Sequence, residues 1–318
     1  VSRIQSLGGS VLGTSRFNPF THRRALENFT NFLKNFSVSA LIVVGGDGSL
    51  HISYQIAKTF QDIKTIHIPK SIDNDLPLPN SIPSFGFETA REVGTKITDS
   101  LMADAQTCGR WYLGITMGRQ AGFLALGLGV ASGATLTLIP EEFKDKSHSP
   151  REIASIIVGS IKKRCAAGKK YGVALIAEGI LDKLDPSSSA LLEKCPRDEL
   201  GRITYSELEL GEILLPEIKN QLTDLGISLT VRKKNIGYEL RCANPLSFDR
   251  EYCRFLGYGA IELLERGVKN CIVIRDHQSL SFLPFEEIFK SDGKVRSRVV
   301  NLESSFYKMA RSFMIRDD

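Results

Sequence analysis

Short apolar runs alternate along the chain with longer segments in which apolar residues recur every three or four positions. The runs ALIVV, TIHI, YLGIT, TLTLI and VALIA have the length of strands and are mostly apolar, which is typical of parallel strands covered on both faces. Between them, residues 22–36, a segment from Phe85 to near Gly109, and residues 150–167 have helical spacing. This alternation predicts an α/β protein whose helices connect parallel strands.

The second half of the chain continues the alternation. Residues 206–225, 250–267 and 302–316 are predicted helices, and residues 228–241 and 270–288 are predicted strand regions. Residues 182–198 are polar, with serines and a proline, and we interpret them as a surface insertion. The proline-rich stretch at 76–84 can continue neither a helix nor a central strand, so we expect the chain to cross between domains there.

Composition narrows the function classes. A chain of 318 residues that is 42% hydrophobic is long enough for two domains with a cleft between them. The net charge of +5 arises from 41 basic and 36 acidic residues that are mixed along the chain, so we expect neither a nucleic-acid partner nor a membrane partner. The six cysteines are widely spaced, which indicates no zinc site and no disulfide framework. No membrane span or signal peptide is recognisable, and we expect a cytoplasmic enzyme.

Two loops at strand ends carry the candidate chemistry. The strand at 39–44 runs into GGDGS at 45–49, and after one helix the strand TIHI runs into PKSIDND at 69–75. An apolar strand that ends in glycines is typical of the interior of a parallel sheet, and both loops should emerge at the same sheet edge. That edge is where open α/β sheets bind ligands.

The residue types in these loops indicate phosphate and magnesium. Three glycines let the backbone approach a polyphosphate closely, and Asp47 can hold a hard cation through its oxygens. Asp73 and Asp75 are two positions apart and would face the same side of an extended segment. One of them could accept a proton from a hydroxyl while the other assists with metal or orientation. Together with arginines at other strand ends, this set predicts phosphoryl transfer.

GGDGS followed one βα unit later by PKSIDND resembles the phosphofructokinase family. Further matches occur in the order of that family and cover nearly the whole chain: LGTSR at 12–16, MGR at 117–119, IPEE at 139–142, AEG at 177–179 and GYELR at 237–241. The resemblance implies two Rossmann-like α/β domains with the active site in the cleft between them. Residues 1–84 with 242–292 would bind the phosphoryl donor, and residues 85–241 with 293–318 would bind fructose 6-phosphate.

The resemblance also implies roles for the loop residues. Asp73 matches the family's base, which takes a proton from the 1-hydroxyl of the sugar, and Asp47 matches the acid that binds Mg²⁺. Asp75 and Ser71 match their neighbours at the transferring phosphoryl group, and Lys70 and Arg119 complete the implied catalytic set. The implied donor-binding residues are Arg16, Phe17, Gly46, Gly48 and Ser49.

On the acceptor side, the resemblance implies a pocket for fructose 6-phosphate. Met117, Gly118, Arg119 and Glu141 match residues that hold the sugar, with Glu141 accepting hydrogen bonds from its hydroxyls. The positions that match the 6-phosphate pocket are Arg110, Arg232, Tyr238 and Arg241. Arg110 and Arg232 match arginines that reach the pocket from a neighbouring subunit, so we expect a homo-oligomer, either a dimer or a tetramer.

The identity of the phosphoryl donor is open between ATP and pyrophosphate. Gly48 is the small residue expected where the α-phosphate of ATP must fit, whereas Lys70 and Ile52 point towards pyrophosphate; we favour ATP on steric grounds. A different sugar kinase or an NAD kinase could use the same glycine turn, but it would not need PKSIDND. A non-catalytic relative is the remaining alternative.

The beginning of the chain gives a last expectation. In the family, an opening strand and a glycine-rich GGD loop precede the part that resembles residues 8–16, and neither is recognisable here. We therefore expect this chain to be truncated at its N-terminus, lacking an interior strand of the donor-binding domain and part of the donor site.

Overall fold

The computed structural model describes residues 4–15, 17–79, 82–144, 147–188, 190–193, 209–289, 295 and 297–316. The helices and strands alternate for most of the chain, which confirms the predicted α/β class. The strands are β1 (Ala40–Gly45), β2 (Lys64–Pro69), β3 (Trp111–Thr116), β4 (Leu136–Leu138), β5 (Gly172–Ala177), β6 (Val231–Ile236), β7 (Cys271–Asp276) and β8 (Ser279–Pro284).

The helices have a wide range of lengths. They are α1 (Arg23–Asn35), α2 (Asp47–Thr59), α3 (Phe87–Cys108), α4 (Phe123–Ser132), α5 (Pro150–Ala166), α6 (Ala190–Glu193), α7 (Leu210–Asp224), α8 (Tyr238–Arg241), α9 (Ser247–Glu265), α10 (Phe285–Ile288) and α11 (Ser305–Phe313). Short 3₁₀ turns occupy Ile4–Ser6, Pro140–Glu142, Glu178–Lys183 and Pro186–Ser188. Within the described ranges, no helix has the length and apolar character needed to cross a membrane.

The chain divides into two compact units. Unit 1 consists of Val1–Thr89 and Arg241–Arg298, and unit 2 consists of Ala90–Leu240 and Val299–Asp318. The divisions at 89/90, 240/241 and 298/299 differ from the expected domain boundaries at 84/85, 241/242 and 292/293 by up to six residues. The assignment of one unit to the donor and the other to the sugar stays a prediction.

Unit 1 is built on a sheet with the strand order β1-β2-β7-β8. β2 pairs in parallel with β1 and with β7, and β8 adds an antiparallel hairpin strand next to β7. α9 packs on one face of this sheet, where Tyr252 and Leu256 are fully buried against Ile66 and Val273. α2 and α10 cover the other face through Leu50, Ile272 and Phe285.

One prediction about this sheet was wrong. β1 is an edge strand and not an interior one, because among the described residues it pairs with β2 alone. Its side chains alternate in exposure, with Ile42 38% and Val44 55% exposed. An apolar run cannot distinguish an edge strand from a central strand, since the number of neighbouring strands is not encoded in the run itself. β2, whose residues 65–69 are all buried, is the interior strand.

Unit 2 contains a fully parallel sheet with the strand order β4-β5-β3-β6. Its main core lies between this sheet and the helices α5 and α7, with Trp111, Leu136, Ile157 and Leu214 buried almost completely. On the other face α4 and α11 pack through Leu126, Tyr307 and Ala310. α4 is apolar on all sides because the sheet and α11 leave almost none of its surface in contact with water.

Two further predictions need correction. The GYELR segment, predicted as part of a strand region, ends in the short helix α8, because β6 ends at Ile236 and Gly237 accepts the first helical hydrogen bond from Leu240. The polar stretch predicted as a surface insertion at 182–198 contains Leu184 and Leu192, both of which are buried in the main core of unit 2. Part of that stretch, residues 189 and 194–198, lies outside the described residues.

Candidate functional site

The two candidate loops lie side by side at the carboxyl edge of the unit 1 sheet. Gly45 and Pro69 are register partners at the ends of β1 and β2, and the Lys70 N–H donates to the Gly45 carbonyl at 3.0 Å. A Cβ atom added to Gly46 would lie 3.5 Å from the Lys70 carbonyl oxygen. The parallel pairing of β1 with β2 therefore brings the glycine loop and the acidic loop together.

The glycine loop forms the start of α2. Gly46 is the N-cap and Asp47 the first helical residue, so the N–H groups of the first turn point towards the loop. Gly45 has no space for a side chain, because a Cβ there would overlap the Ser49 hydroxyl. Gly48 is exposed and a Cβ there would meet no other atom within 4 Å. The loop thus has no space for a side chain at Gly45, next to the sheet, but has space for one at Gly48, at the surface.

The acidic loop is organised by its own hydrogen bonds. The Ser71 hydroxyl donates to Asp75 Oδ1 at 2.9 Å and accepts from the Asp73 N–H at 3.1 Å. Asn74 has a φ of 58°, a left-handed conformation that turns the chain between the two aspartates. Asp73 is half-buried, whereas Asp75 is only 8% exposed. These contacts give the two carboxylates different surroundings.

Electrostatics further separate the groups of this loop. Burial raises the pKa of Asp75, and the Ser71 hydrogen bond and the charge of Arg298 act against that rise, while nearby Asp47 adds to it. Burial lowers the pKa of Lys70, the positive charge of Arg241 lowers it further, and Asp73 acts in the opposite direction. Asp73 and Arg241 are therefore both within electrostatic reach of Lys70 in unit 1.

The carboxylates of unit 1 fit a magnesium ion that arrives with a phosphate ligand. Across the described ranges, no group of three or more His, Cys, Asp or Glu side chains could hold a metal on its own. Mg²⁺ is commonly held by one or two carboxylates together with substrate phosphates, so a complete protein cage is not required. Asp47, on the glycine loop and near enough to Asp75 to perturb its pKa, supplies such a carboxylate.

Unit 2 brings the MGR and AEG motifs together at the carboxyl edge of its own sheet. Thr116 and Ala177 are register partners at the ends of β3 and β5, and the Gly179 N–H donates to the Gly118 carbonyl at 3.2 Å. Gly118 has a φ of 129°, which favours glycine. A Cβ on Gly179 would lie 2.5 Å from the Arg119 carbonyl oxygen, so both glycines are needed for this close backbone contact.

A cavity of about 300 Å³ opens beside these motifs within unit 2. Its lining includes Met117, Glu178, Glu209, Asn235, Gly237 and Tyr238. Burial raises the pKa of Glu178, while a hydrogen bond from the Gly118 backbone and the charge of Arg119 act against that rise. Tyr238 is 71% exposed at the end of β6. The cavity offers carboxylate, amide and phenol groups that suit a polyol.

Glu141 occupies a different environment from the one expected. Its Oε1 atom accepts from the Gly122 N–H at 2.9 Å and from the Val300 N–H at 2.8 Å. Because Gly122 is the N-cap of α4, the carboxylate stabilises the start of that helix. Burial raises the pKa of Glu141 and these two backbone donors oppose the rise. Glu141 therefore has a structural role within unit 2 that does not depend on any hydrogen bond to a sugar.

Arg110 and Arg232 lie at the other edge of the unit 2 sheet. Arg110 directly precedes β3 and Arg232 is near the start of β6, whereas Met117 follows the end of β3. The length of β3 corresponds to about 20 Å, so one chain does not bring these arginines to the Met117 motif. Arg110 makes two hydrogen bonds to Asp104, at 2.8 and 2.9 Å. Arg232 is exposed.

The remaining predicted donor residue, Phe17, is 58% exposed, and Arg16 lies outside the described residues.

Five cysteines fall within the described ranges and all are free thiols, whereas Cys195 lies outside them.

Sequence reasoning missed two residues of these sites. Glu178 lies within the AEG motif, which was recognised without a role for its carboxylate. Arg298 contacts the acidic loop from 224 positions away, and no local pattern in the sequence marks it.

In unit 1, a glycine-aspartate loop lies beside a loop with two aspartates, and these residue types suit phosphoryl transfer. Comparison with known proteins specifies the family. The family model described as Phosphofructokinase matches residues 1–264. The chain belongs to the phosphofructokinase family, a family of phosphotransferases that act on a hydroxyl of fructose 6-phosphate.

Individual relatives include enzymes named for both donors. A pyrophosphate–fructose 6-phosphate 1-phosphotransferase of Thermotoga maritima is 40% identical over 329 aligned residues, covering 99% of this chain and 77% of the relative. An ATP-dependent 6-phosphofructokinase of Corynebacterium efficiens is 30% identical over 287 residues, covering 90% of this chain and 77% of the relative.

A solved structure shows the same fold. The pyrophosphate-dependent phosphofructokinase of Nitrosospira multiformis aligns with a TM-score of 0.71 at 16% identity, covering 100% of this chain and 77% of that one.

Proposed function

We propose that this protein is a 6-phosphofructokinase that transfers a phosphoryl group from ATP to the 1-hydroxyl of fructose 6-phosphate, giving fructose 1,6-bisphosphate in glycolysis. The observation that carries the proposal is the adjacency of the glycine loop and the acidic loop, with the Lys70 N–H bonded to the Gly45 carbonyl at 3.0 Å. This adjacency supports the proposal, because the backbone that we propose binds phosphate, the Asp47 carboxylate and the candidate base Asp73 belong to two loops at one sheet edge.

In the proposed reaction, Asp73 accepts the proton of the 1-hydroxyl of the sugar while the oxygen of that hydroxyl attacks the γ-phosphorus of ATP. The bond between that phosphorus and the bridging oxygen breaks, and ADP leaves. Ser71 orients the two aspartates through the hydrogen bonds it makes to both. Asp47 would hold Mg²⁺, which neutralises phosphate charge when it is bound. Gly46, Gly48 and Ser49 would contact the donor phosphates from the start of α2, and Arg16 and Phe17 are proposed as further donor-binding residues.

For the acceptor, we propose that Met117, Gly118 and Arg119 hold the sugar with Glu178. The support for Glu178 is that it lines the same cavity as Met117 and Tyr238. Tyr238 and Arg241 would contact the 6-phosphate, and Lys70 and Arg119 would stabilise charge that develops on the transferring group. Glu141 would act mainly by holding the start of α4, in view of its two backbone partners.

The proposal also includes a homo-oligomer of this chain. Arg110 and Arg232 lie about 20 Å along the sheet from Met117, so they can serve a 6-phosphate only from another copy of the chain. The cytoplasm stays the proposed location, on the ground that the family acts in glycolysis.

Pyrophosphate is the second candidate donor. It is favoured by the 40% identity to the Thermotoga maritima enzyme and by the position of Lys70 next to the glycine loop. ATP is favoured by the open space at Gly48, which leaves room for a further phosphate.

The test is an assay for fructose 1,6-bisphosphate with ATP or with pyrophosphate at equal concentration, each with Mg²⁺ and fructose 6-phosphate. We expect the wild-type protein to form product, with a higher kcat/KM for ATP than for pyrophosphate. Product from pyrophosphate alone would overturn the choice of donor. No product from either donor would overturn the proposed function.

A further inference from the structure

The segment that carries Asp73 and Asp75 folds back on itself. Its two ends meet where Lys70 and Phe85 form a parallel bridge, with the Ser71 N–H donating to the Phe85 carbonyl at 3.1 Å. Ser84 adds two bonds across the base, from its N–H to Asn74 Oδ1 at 2.9 Å and from its hydroxyl to the Ser71 carbonyl at 2.7 Å. We call the described part of this segment, residues 71–79 and 82–84, the catalytic segment.

Arg298 joins the two limbs of the catalytic segment, the first of which contains Asn74 and the second Ile82. The guanidinium of Arg298 donates from Nε to the Asn74 carbonyl at 3.1 Å and from Nη1 to the Ile82 carbonyl at 2.8 Å. Nη1 is also 3.5 Å from the Leu78 carbonyl, and Nη2 donates to Asn74 Oδ1. The Arg298 backbone N–H donates to the Asp75 carbonyl at 2.8 Å. Only a planar fork of donors can serve acceptors spaced in this way.

These contacts surround the residue whose backbone sets the direction of both aspartates. Asn74 stands between Asp73 and Asp75 with a φ of 58°, a conformation that L-residues with side chains adopt at a cost. Arg298 bonds to the carbonyl and to the side chain of Asn74 and so holds that conformation in place. Without the guanidinium, the carbonyls of buried Asn74 and of half-buried Ile82 would each lose a donor.

We propose that Arg298 is a positioning residue for phosphoryl transfer, which cross-links the two limbs of the catalytic segment and thereby fixes the orientation of Asp73. It acts through Asn74 and touches neither substrate. The inference rests on the proposed function, because it requires Asp73 to be the base. A base misplaced by even about 1 Å is expected to lower turnover on the order of 10²-fold, while the groups that bind the substrates stay in place.

The experiment compares Arg298→Ala and Arg298→Lys with the control Arg275→Ala. Arg275 lies in the same unit with a side chain only 17% exposed, where it pairs with Glu251 and stacks over Tyr252. Its connection to the catalytic segment is indirect, through the Tyr252 hydroxyl, which donates to the Pro83 carbonyl at 3.0 Å. Loss of either arginine should lower Tm. For Arg298→Ala we expect kcat to fall roughly 10- to 100-fold with both KM values within about threefold of wild type. Arg275→Ala should keep the wild-type kcat.

Two further measurements separate positioning from general destabilisation. Guanidinium ion at concentrations that leave the wild type folded should restore part of the kcat of Arg298→Ala, and Arg298→Lys should fall between wild type and Arg298→Ala, since a lysine reaches fewer acceptors at once. Hydrogen exchange of the amides at 71–84 should accelerate in Arg298→Ala and not in Arg275→Ala. The exchange measurement needs no activity, so it tests Arg298 even if the proposed reaction is wrong.

The inference is overturned if Arg298→Ala keeps kcat within twofold of wild type. It is equally overturned if Arg275→Ala, with the same fall in Tm, loses as much kcat as Arg298→Ala does. It is also overturned if hydrogen exchange at 71–84 in Arg298→Ala is the same as in wild type. A wild-type protein that makes no fructose 1,6-bisphosphate would instead overturn the proposed function.

Discussion

His67 Nε2 lies 3.0 Å from the carbonyl oxygen of Gly45, the residue at which β1 ends and the glycine loop begins. A carbonyl can only accept, so Nε2 carries the hydrogen, while Nδ1 lies 3.0 Å from the Ser53 hydroxyl oxygen, which is also 2.8 Å from the Ser49 carbonyl oxygen. The ring is fully buried in β2. It thus connects the two neighbouring strands and α2 directly below the loop that we propose binds the donor.

We predict a pH-dependent loss of stability that arises from His67. Burial lowers the pKa of His67 from 6.5 to about 4, so the unfolded state binds more protons than the folded state between these values. The free energy of unfolding should therefore decrease as the pH falls from about 6.5 to about 4, by up to about 3 kcal/mol from this residue.

The prediction is checked by urea unfolding of wild type and His67→Gln from pH 4 to pH 7. Glutamine can still donate to the Gly45 carbonyl but does not titrate, so the variant should show a smaller dependence on pH. The control is His277→Gln, because the His277 side chain is 97% exposed. If His67→Gln shows the same pH dependence as wild type, the ring is not the titrating group.

Asp73→Asn should lower turnover by roughly 10²- to 10⁴-fold with little change in the KM for fructose 6-phosphate, because it removes a proton acceptor and keeps the shape of the side chain. Steady-state kinetics with the preferred donor measure both constants. Asp62→Asn, at an exposed position between α2 and β2, is the control and should behave as wild type. Retention of more than about a third of the turnover by Asp73→Asn would contradict the base assignment.

Gly48→Asp should abolish the use of ATP while sparing any activity with pyrophosphate, because a carboxylate there would repel and obstruct the additional phosphate of the nucleotide. The variant should fold normally, since a Cβ at this position meets nothing within 4 Å and an acid in the first turn of α2 suits the helix dipole.

Thermal melting and an assay with both donors test this prediction about Gly48. Gly45→Ala is the contrasting variant and should melt at a lower temperature, because its Cβ would overlap the Ser49 hydroxyl. Normal ATP-dependent activity of Gly48→Asp would show that this position does not adjoin the donor.

Asp249→Ala should lower the free energy of unfolding by about 2–4 kcal/mol. The carboxylate is fully buried and accepts from the N–H groups of Gly86 and Thr89, both at 2.8 Å, at the start of α3. Its removal would leave those donors buried without an acceptor. Chemical denaturation measures the loss, and Glu303→Ala, at a side chain 84% exposed, should change stability by less than about 0.5 kcal/mol. Equal effects of the two substitutions would contradict the capping role of Asp249.

Mixing two impaired variants should restore part of the activity if Arg110 serves a neighbouring copy. Arg110→Ala removes the arginine at one edge of the sheet, and Glu178→Gln alters the cavity at the other. A hetero-oligomer of the two would contain some sites with both residues intact. We expect each variant alone to show a raised KM for fructose 6-phosphate and a mixture, reassembled after dissociation, to recover up to about a quarter of the wild-type activity if the sites act independently. Mixtures no more active than the separate variants would count against shared sites.

Local patterns were sufficient to predict much of the fold. Apolar runs and helical spacing located β2, β3, β5 and the long helices, and the glycines after β1 located the loop next to the acidic loop. The same patterns failed where the answer depends on distant partners. The run at β1 does not reveal that only β2 pairs with it among the described residues, and the polar stretch around Leu184 does not reveal that this side chain enters a core.

The roles of the candidate site residues stay predictions. Motifs singled out Asp47, Asp73 and Met117, which lie within four residues of a strand end. They could not show that Glu141 is bonded to two backbone N–H groups, one of them from Val300, 159 positions later. Nor could they identify Arg298, whose importance depends on the convergence of backbone carbonyls in three dimensions and not on any pattern of residue types.

The separation of 224 positions between Asn74 and Arg298 has a consequence for biosynthesis. β1, α2 and β2 leave the ribosome early, but their partner strand β7 and the arginine that joins the catalytic segment follow only after most of unit 2 has been made. At roughly 5–20 residues per second, the delay is on the order of 10 to 45 s. For that period the edge of β2 that later pairs with β7 at Ile66 and His67 has no partner strand. We therefore expect nascent unit 1 to depend on chaperones for longer than unit 2.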